Sequence, residues 1–508
     1  MELKMASPRG AKLWVMGALA IAGFCLWTGC ALRDPLQTQY VGELGRFELQ
    51  SPDRELEGAV VGVPHGTGEP DALDFARSIR AGMGAALVIA YDFGSKRIPV
   101  AQPLVHTSPI AWPSPDHTRP GSVYPEFKKL LQSAVNGPIK FFVGVRLTGH
   151  VTKVPVIEVA TGGFAYEQVH ALKAAFTEMR DRSIKDTELV KIELSLNPLD
   201  DISWNASGVK NHGVLMLAEK GLILRLPRVL AVPRYKAVYG GLLTSWVKKA
   251  LAIAKNSKAD FPEVDIKRVP YGRIESTPSR NGSRGFVIAA PHGSFDWYTS
   301  ELVEELSFRT ALPAIVTRGF TPTECGGWRI NVNRPTERRY PTDVNERKTQ
   351  RSTEIFQRYR DSVFQAAGGP LDLYIEMHQN GSEAHIDVAT LGVTRRQAME
   401  IKDAYRKIRD RVLGEIAEVP RVSLVIEPLD AVAIGARGAK EIGMLKLAES
   451  SLHFELPAQH VFYSNPARRA YTRILAELIK HIVTQRNLPQ DRAPSIRDRP
   501  WRSKSVAE

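Results

Sequence analysis

Four short phrases in the second half of the chain carry residue types that can hold a metal ion and move a proton. An apolar run, Phe286 to Ala290, stops at Pro291-His292-Gly293-Ser294-Phe295-Asp296, which puts an imidazole and a carboxylate at the mouth of a strand. Asn333-Arg334 follows, then His378 after the run Leu371 to Met377, then Glu455 inside Leu452 to Pro457. Each lies on or just after an apolar run that reads as a strand, so the four are expected to converge along one edge of one sheet. His292, Asp296 and His378 offer two nitrogens and one oxygen, the donor types zinc takes in a catalytic site, leaving a position for a water whose pKa the ion lowers to about 7. Glu455 is then the group to accept that water's proton and hand it to a leaving amine. Arg334 offers a planar fork to a substrate carboxylate, with the Asn333 amide beside it. Together these types describe hydrolysis of an amide next to a free carboxylate.

In this order the residues resemble the zinc carboxypeptidase superfamily, and within it the N-formylglutamate amidohydrolase-like branch. The resemblance covers roughly Gly285 to Gln485. It implies zinc as cofactor, His292, Asp296 and His378 as its ligands, Asn333 and Arg334 as the substrate-binding pair, and Glu455 as the catalytic carboxylate. The first acid departs from the carboxypeptidase pattern, being Asp at a spacing of four where Glu at three is usual, and Glu376 is the alternative third ligand. His385, His453 and His460 lie near the same segments, but their spacing does not separate ligand from packing residue. Arg318 and Arg329 are further candidates for substrate contact.

The elements that must position these residues occur twice. Val63-Pro64-His65-Gly66 matches Ala290-Pro291-His292-Gly293 at a displacement of 227 positions, and Leu222 to Pro227 matches Leu452 to Pro457 at 230, with three further matches between them in the same order. Each copy alternates strand-like and helix-like segments, so the expected fold is α/β: two homologous three-layer α/β domains with mixed sheets, zinc carboxypeptidase-like. The divisions are 1–30 signal peptide, 40–255 first copy, 256–284 linker, 285–487 catalytic copy and 488–508 disordered tail, with the residues from Cys30 to about Tyr40 as a tether. In the second copy, helices are expected over Tyr298–Phe308, Thr353–Ala367, Thr394–Val412, Lys440–Ala448 and from an Asn465 N-cap to about Ile482. The first copy keeps His65 with Glu69. It has Ala101-Gln102 opposite Asn333-Arg334, Arg225 opposite Glu455, and Arg146 or Gly149 opposite His378, with His150 nearby. It reads as a degenerate, structural or binding domain.

At the N-terminus, Lys4, Arg9 and Lys12 precede an apolar run from Leu13 to Trp27, and Gly29-Cys30 follows. That is the plan of a secretory signal. The exit resembles a bacterial lipobox, which implies a lipid anchor at Cys30 and an envelope protein facing the periplasm at the outer membrane; an uncleaved anchor is the alternative. Cys325 is then the one unmodified cysteine, and no disulfide framework is available. The net charge of +13 is spread along helix faces such as Thr394 to Val412, a solvated-face pattern that argues against a nucleic-acid partner and suits an acidic substrate. The expected substrate is a small acidic amide or peptide. A non-catalytic envelope ligand-binding lipoprotein and the same chemistry on cell-wall peptides are the competing readings.

Overall fold

Phe286 to Ala290, Leu373 to Met377 and Leu452 to Leu456 have few residues suited to a wet face, and each lies buried in the middle of a sheet. The structure, a computed structural model, describes residues 37–52, 58–93, 98–103, 123–148, 155–185, 187–204, 206–255, 263–381, 384–414, 416 and 418–487. The signal segment, Cys30, Gly149, His150 and the tail from 488 lie outside the described residues.

The first half supplies β1 (Gln37–Val41), β2 (Gly45–Gln50), β3 (Ala59–Val63), β4 (Ala86–Tyr91), β5 (Ile139–Leu147), β6 (Val156–Gly162), β7 (Glu193–Asn197) and β8 (Ala218–Leu226). The second supplies β9 (Asp265–Val269), β10 (Gly272–Thr277), β11 (Phe286–Ala290), β12 (Ala314–Gly319), β13 (Trp328–Asn331), β14 (Thr336–Arg339), β15 (Leu371–Asn380), β16 (His385–Leu391), β17 (Ser423–Ile426) and β18 (Ala448–Pro457). The two eight-stranded mixed sheets have one strand order, β1-β2-β4-β3-β5-β8-β6-β7 in the first and β9-β10-β12-β11-β15-β18-β16-β17 in the second. Helices 299–310, 395–414 and 465–487 bury their apolar faces on one side of the second sheet, against Ile288, Ile375 and Phe454. Helix 350–367 covers the other side, where Ile355, Tyr359 and Val363 meet Val287 and Tyr374. Layers on both faces bury β11, β15 and β18 along most of their length, and the buried titratable side chains Glu376, His378, His453 and Glu455 lie toward the C-terminal ends of β15 and β18.

The expected linker is structured in its second part. Residues 265–277 form the β9–β10 hairpin, and β10 pairs antiparallel with β12 at the edge of the sheet. Composition hid this because the buried face of β10 carries Arg273 and Glu275, a salt-bridged pair packed against the first half. The tether is likewise shorter than expected, since Gln37 to Tyr40 belong to β1. Lys440 to Ala448 is not one helix: a helix spans Arg437–Ile442, Gly443 interrupts it, and a 3-10 turn runs over Met444–Leu447. The last helix takes Ser464 as N-cap, whose hydroxyl accepts from the Ala467 N–H at 3.2 Å, one residue earlier than Asn465. Asn333-Arg334 lies off the main sheet, in the turn of the separate β13–β14 hairpin. Among the described residues, no helix is long and apolar enough to cross a membrane.

The halves pack through charge. Arg318, 1% exposed, donates to Glu275 at 3.0 Å and to the Asn211 side chain of the first half at 2.5 Å, while Arg273 donates to the carbonyls of Met216 and Ala218. Ser294, in the His-Gly turn, donates to the Asn211 carbonyl and accepts from the Gly319 N–H.

Candidate metal centre

The turn after β11 folds back at once, the N–H groups of Phe295 and Asp296 both donating to the His292 carbonyl at 2.8 and 2.7 Å. This brings the His292 and Asp296 side chains to one side. Gly293 is needed there because a Cβ would stand 2.7 Å from the Thr317 carbonyl oxygen of β12; Gly66 meets a comparable obstacle beside β4 in the first half. The strands β15 and β18 run parallel, with His378 opposite Glu455 and Glu376 opposite His453. Alternate residues share a face, so all four point the same way while Met377 and Phe454 enter the core.

His378 Nδ1 lies 3.0 Å and His292 Nδ1 3.6 Å from Asp296 Oδ2, and one ligand atom from each of the three residues falls within 4.8 Å of the others. Glu376, His378 and His453 form a second such group. Both belong to residues that line, or lie directly behind, a cleft of about 590 Å³, whose wall also holds Glu455, Arg329 and Arg334. The structure places His292, Asp296, His378 and Glu455 on the wall of this one cleft. Asn333 is wholly buried, and its amide is spent on both oxygens of Glu376 at 3.3 Å. The Arg334 fork is closed on Glu346, Nε at 2.8 Å and Nη2 at 2.6 Å, and Thr336 donates to the same carboxylate.

The electrostatics separate the imidazoles. Burial, aided by the charge of Arg329, pushes His292 down to about 3, so it is neutral. Arg329 Nη2 sits 3.0 Å from its Nδ1, and a guanidinium can only donate, so Nδ1 accepts that hydrogen bond, while Nε2 is buried without a hydrogen-bond partner and is the ring atom left for a cation. Burial also disfavours charge on His378, but hydrogen bonds with Asp296 and Glu376 outweigh it and hold its pKa up at about 10. For Asp296 burial is again outweighed, by the hydrogen bonds of His292 and His378, which keep its carboxyl well below the usual range. A neutral imidazole, an ionised carboxylate and a second imidazole that holds a proton where a cation would serve form a donor set that fits zinc.

Three residues that the sequence offered only as an alternative or a further candidate, His453, Glu376 and Arg329, also stand at the cluster. His453 Nδ1 lies 2.5 Å from Glu376 Oε1 and its Nε2 lies 2.9 Å from Glu455 Oε1. Glu376 is fully buried, and Arg329 lies over the Phe295 ring at 3.9 Å. The legible signal was the period-2 pairing, Glu376 with His378 and His453 with Glu455, on two strands already expected. His385 instead contacts Asp387 at 3.1 Å, His460 sits on the short helix 458–461, and Arg318 belongs to the interface between the halves.

In the first half the strand register decides the counterpart of His378. Arg146 stands opposite Arg225 on β5 and β8, as His378 stands opposite Glu455, and Gly144 and Ile223 hold the places of Glu376 and His453. Arg225 pairs with Glu158 at 3.3 Å, and Glu69 accepts from the Leu147 N–H at 2.7 Å. His65 is pushed down to about 4 by burial and by Arg146. Among the described residues, the first half has no cluster able to hold a metal ion.

No protein-family model matches this chain, and a search of curated proteins finds no match. Among solved structures, the chain is similar to a metallo-carboxypeptidase from Burkholderia cenocepacia, at 13% identity and a TM-score of 0.29, over 47% of this chain and 70% of that one. It is also similar to a bacteriophage poly-gamma-glutamate hydrolase, at 10% identity and a TM-score of 0.25, over 43% of this chain and 91% of that one. These are partial likenesses, and the functional reading rests on the residues above.

Proposed function

We propose that the second half is a zinc-dependent amide hydrolase of the carboxypeptidase kind, in its N-formylglutamate amidohydrolase-like form, acting on a small acyl-amino acid or peptide with a free carboxylate. The observation that carries this reading is the convergence of His292, Asp296 and His378 in one cleft with Glu455, which stands one strand away from His378. Zinc held by those three residues supplies Lewis acidity toward a carbonyl and an acidic water. Glu455 gives Oε1 to the His453 N–H, which leaves Oε2 to accept the proton of the attacking water and return it to the leaving amine. Arg329 sets a fixed positive charge beside the donors, on the wall where charge grows on the carbonyl oxygen. Arg329, Arg334 and Arg437 line the cleft that a carboxylate-bearing substrate would enter, Arg334 paired with Glu346 and Arg437 with Glu441. The shared strand order supports descent of the two halves from one duplicated unit, the first keeping the scaffold without the chemistry.

Elemental analysis of the full-length protein tests the reading. About one zinc per chain is expected, lost in His378→Ala and kept in His65→Ala. A chain without zinc, or a His378→Ala protein that keeps it, rules the assignment out. Export as a lipoprotein anchored at Cys30 belongs to the same proposal and is tested by fractionation: Cys30→Ala should leave the membrane fraction, and a variant processed and retained like the wild type removes the lipobox.

A further inference from the structure

We infer that His453 is a positioning residue, the clamp that holds the Glu455 carboxylate in its working orientation and ties it, through Glu376, to the buried Asn333. The inference rests on the role proposed for Glu455. Among the described residues, His453 is the one hydrogen-bond partner of that carboxylate, Nε2 to Oε1 at 2.9 Å. The other ring nitrogen lies on Glu376 Oε1, and Glu376 takes the Asn333 amide on both oxygens. Asn333 is fixed in turn, since its carbonyl accepts from the Met444 N–H at 2.9 Å. The imidazole cannot swing, because it is 4% exposed and tilted against the His378 ring at 4.3 Å between centroids. A rail therefore runs from the β13–β14 turn across β15 to β18 and ends on the carboxylate that must receive a proton.

Two observations favour this role over a second metal site at Glu376, His378 and His453. Both His453 nitrogens are engaged by carboxylates, so neither offers a lone pair to a cation, whereas His292 Nε2 is buried without a hydrogen-bond partner. In the first half the rail is lost as a unit: Gly144, Ile223 and Arg225 stand for Glu376, His453 and Glu455, and Arg225 is held instead by Glu158 and Ser203. A clamp has no use once the group it orients is gone.

Asparagine and glutamine separate the two ends of the imidazole, because an Asn amide takes the place of Nδ1 and a Gln amide that of Nε2. In the full-length zinc-loaded enzyme, assayed on the best substrate from a panel of N-acyl amino acids, His453→Gln should keep kcat within a few-fold. His453→Asn should lose about 10- to 100-fold in kcat with KM, zinc content and Tm unchanged. In a crystal structure of His453→Asn, Glu455 should lose its single rotamer while Glu376 stays in place. The inference is overturned by wild-type kcat in His453→Asn, by equal losses of kcat and Tm in both variants, by zinc loss in either, or by an unmoved Glu455. Glu455→Gln is the reference: if it keeps wild-type kcat, the proposed function fails and the clamp with it, whereas an inactive Glu455→Gln beside an active His453→Asn removes the clamp alone.

Discussion

Glu346 reaches Arg334 before any substrate does. A substrate carboxylate can use that fork only by displacing an internal carboxylate already held by two N–H groups and by Thr336. Glu346→Gln should therefore lower KM for carboxylate-bearing substrates and leave their amidated analogues unaffected, whereas Arg334→Lys, which keeps the charge without the fork, should raise that KM. An unchanged ratio between the two substrate classes in both variants removes Arg334 from the binding surface. The same pair has a pH signature. Burial disfavours the Glu346 anion, but the Arg334 hydrogen bonds outweigh it and bring its pKa from 4.5 to about 2. A carboxyl depressed in the folded state contributes stability that is fully present above its unfolded value and lost as pH falls through its folded one. Melting curves between pH 6 and pH 2 should show the wild type approaching Glu346→Gln in stability below about pH 4.5. For Glu455, Glu455→Gln should retain zinc while kcat drops by about 10²- to 10⁴-fold.

The element that controls the centre is the turn after β11. With the Thr317 carbonyl oxygen 2.7 Å from the site of a Cβ, Gly293→Ala must push the turn away from β12, and His292 moves with it. Overpacking of that kind costs about 1–3 kcal/mol, and zinc affinity should fall by about 10- to 100-fold. Titration with a competing chelator measures the second effect, and wild-type affinity in Gly293→Ala would show that the turn tolerates the shift. On β15 and β18 the alternation is strict, so a slip of one residue would turn His378 and Glu455 into the apolar core and Met377 and Phe454 toward the cleft. Regular elements of this kind were legible because apolar periodicity is a local property. The β9–β10 hairpin was not, because two of the three buried residues of β10 are the charges Arg273 and Glu275, flanking Ile274 and satisfied in part by Ala218 and Arg318, distant in sequence.

At the scale of the whole molecule, the first half contacts the second beside the candidate centre. Asn211 meets both Arg318 and Ser294, so the turn that carries His292 leans on the first half. Arg318 is buried and pairs with the buried Glu275 and with Glu304, whose side chain is 22% exposed. Breaking such a buried cluster from one side leaves uncompensated charge, and Arg318→Met should destabilise the full chain by about 3–5 kcal/mol. Denaturant unfolding at neutral pH checks this, and a loss below about 1 kcal/mol would mean that the acids find water or other partners.

The sequence by itself determined the residue types able to ligate a metal, their order, the strands that carry them, and the recurring phrases, of which the earlier set lacks most of those residues. These follow from side-chain chemistry and from local period, which need no knowledge of neighbours. The tertiary structure decided that Glu376 faces His453 across 77 positions, that Arg146 rather than Gly149 holds the place of His378, that Arg334 is already paired, and that a polar hairpin belongs to the sheet. Strand register and ion pairing are set between segments far apart in the chain. Neither leaves a periodic trace in either segment alone.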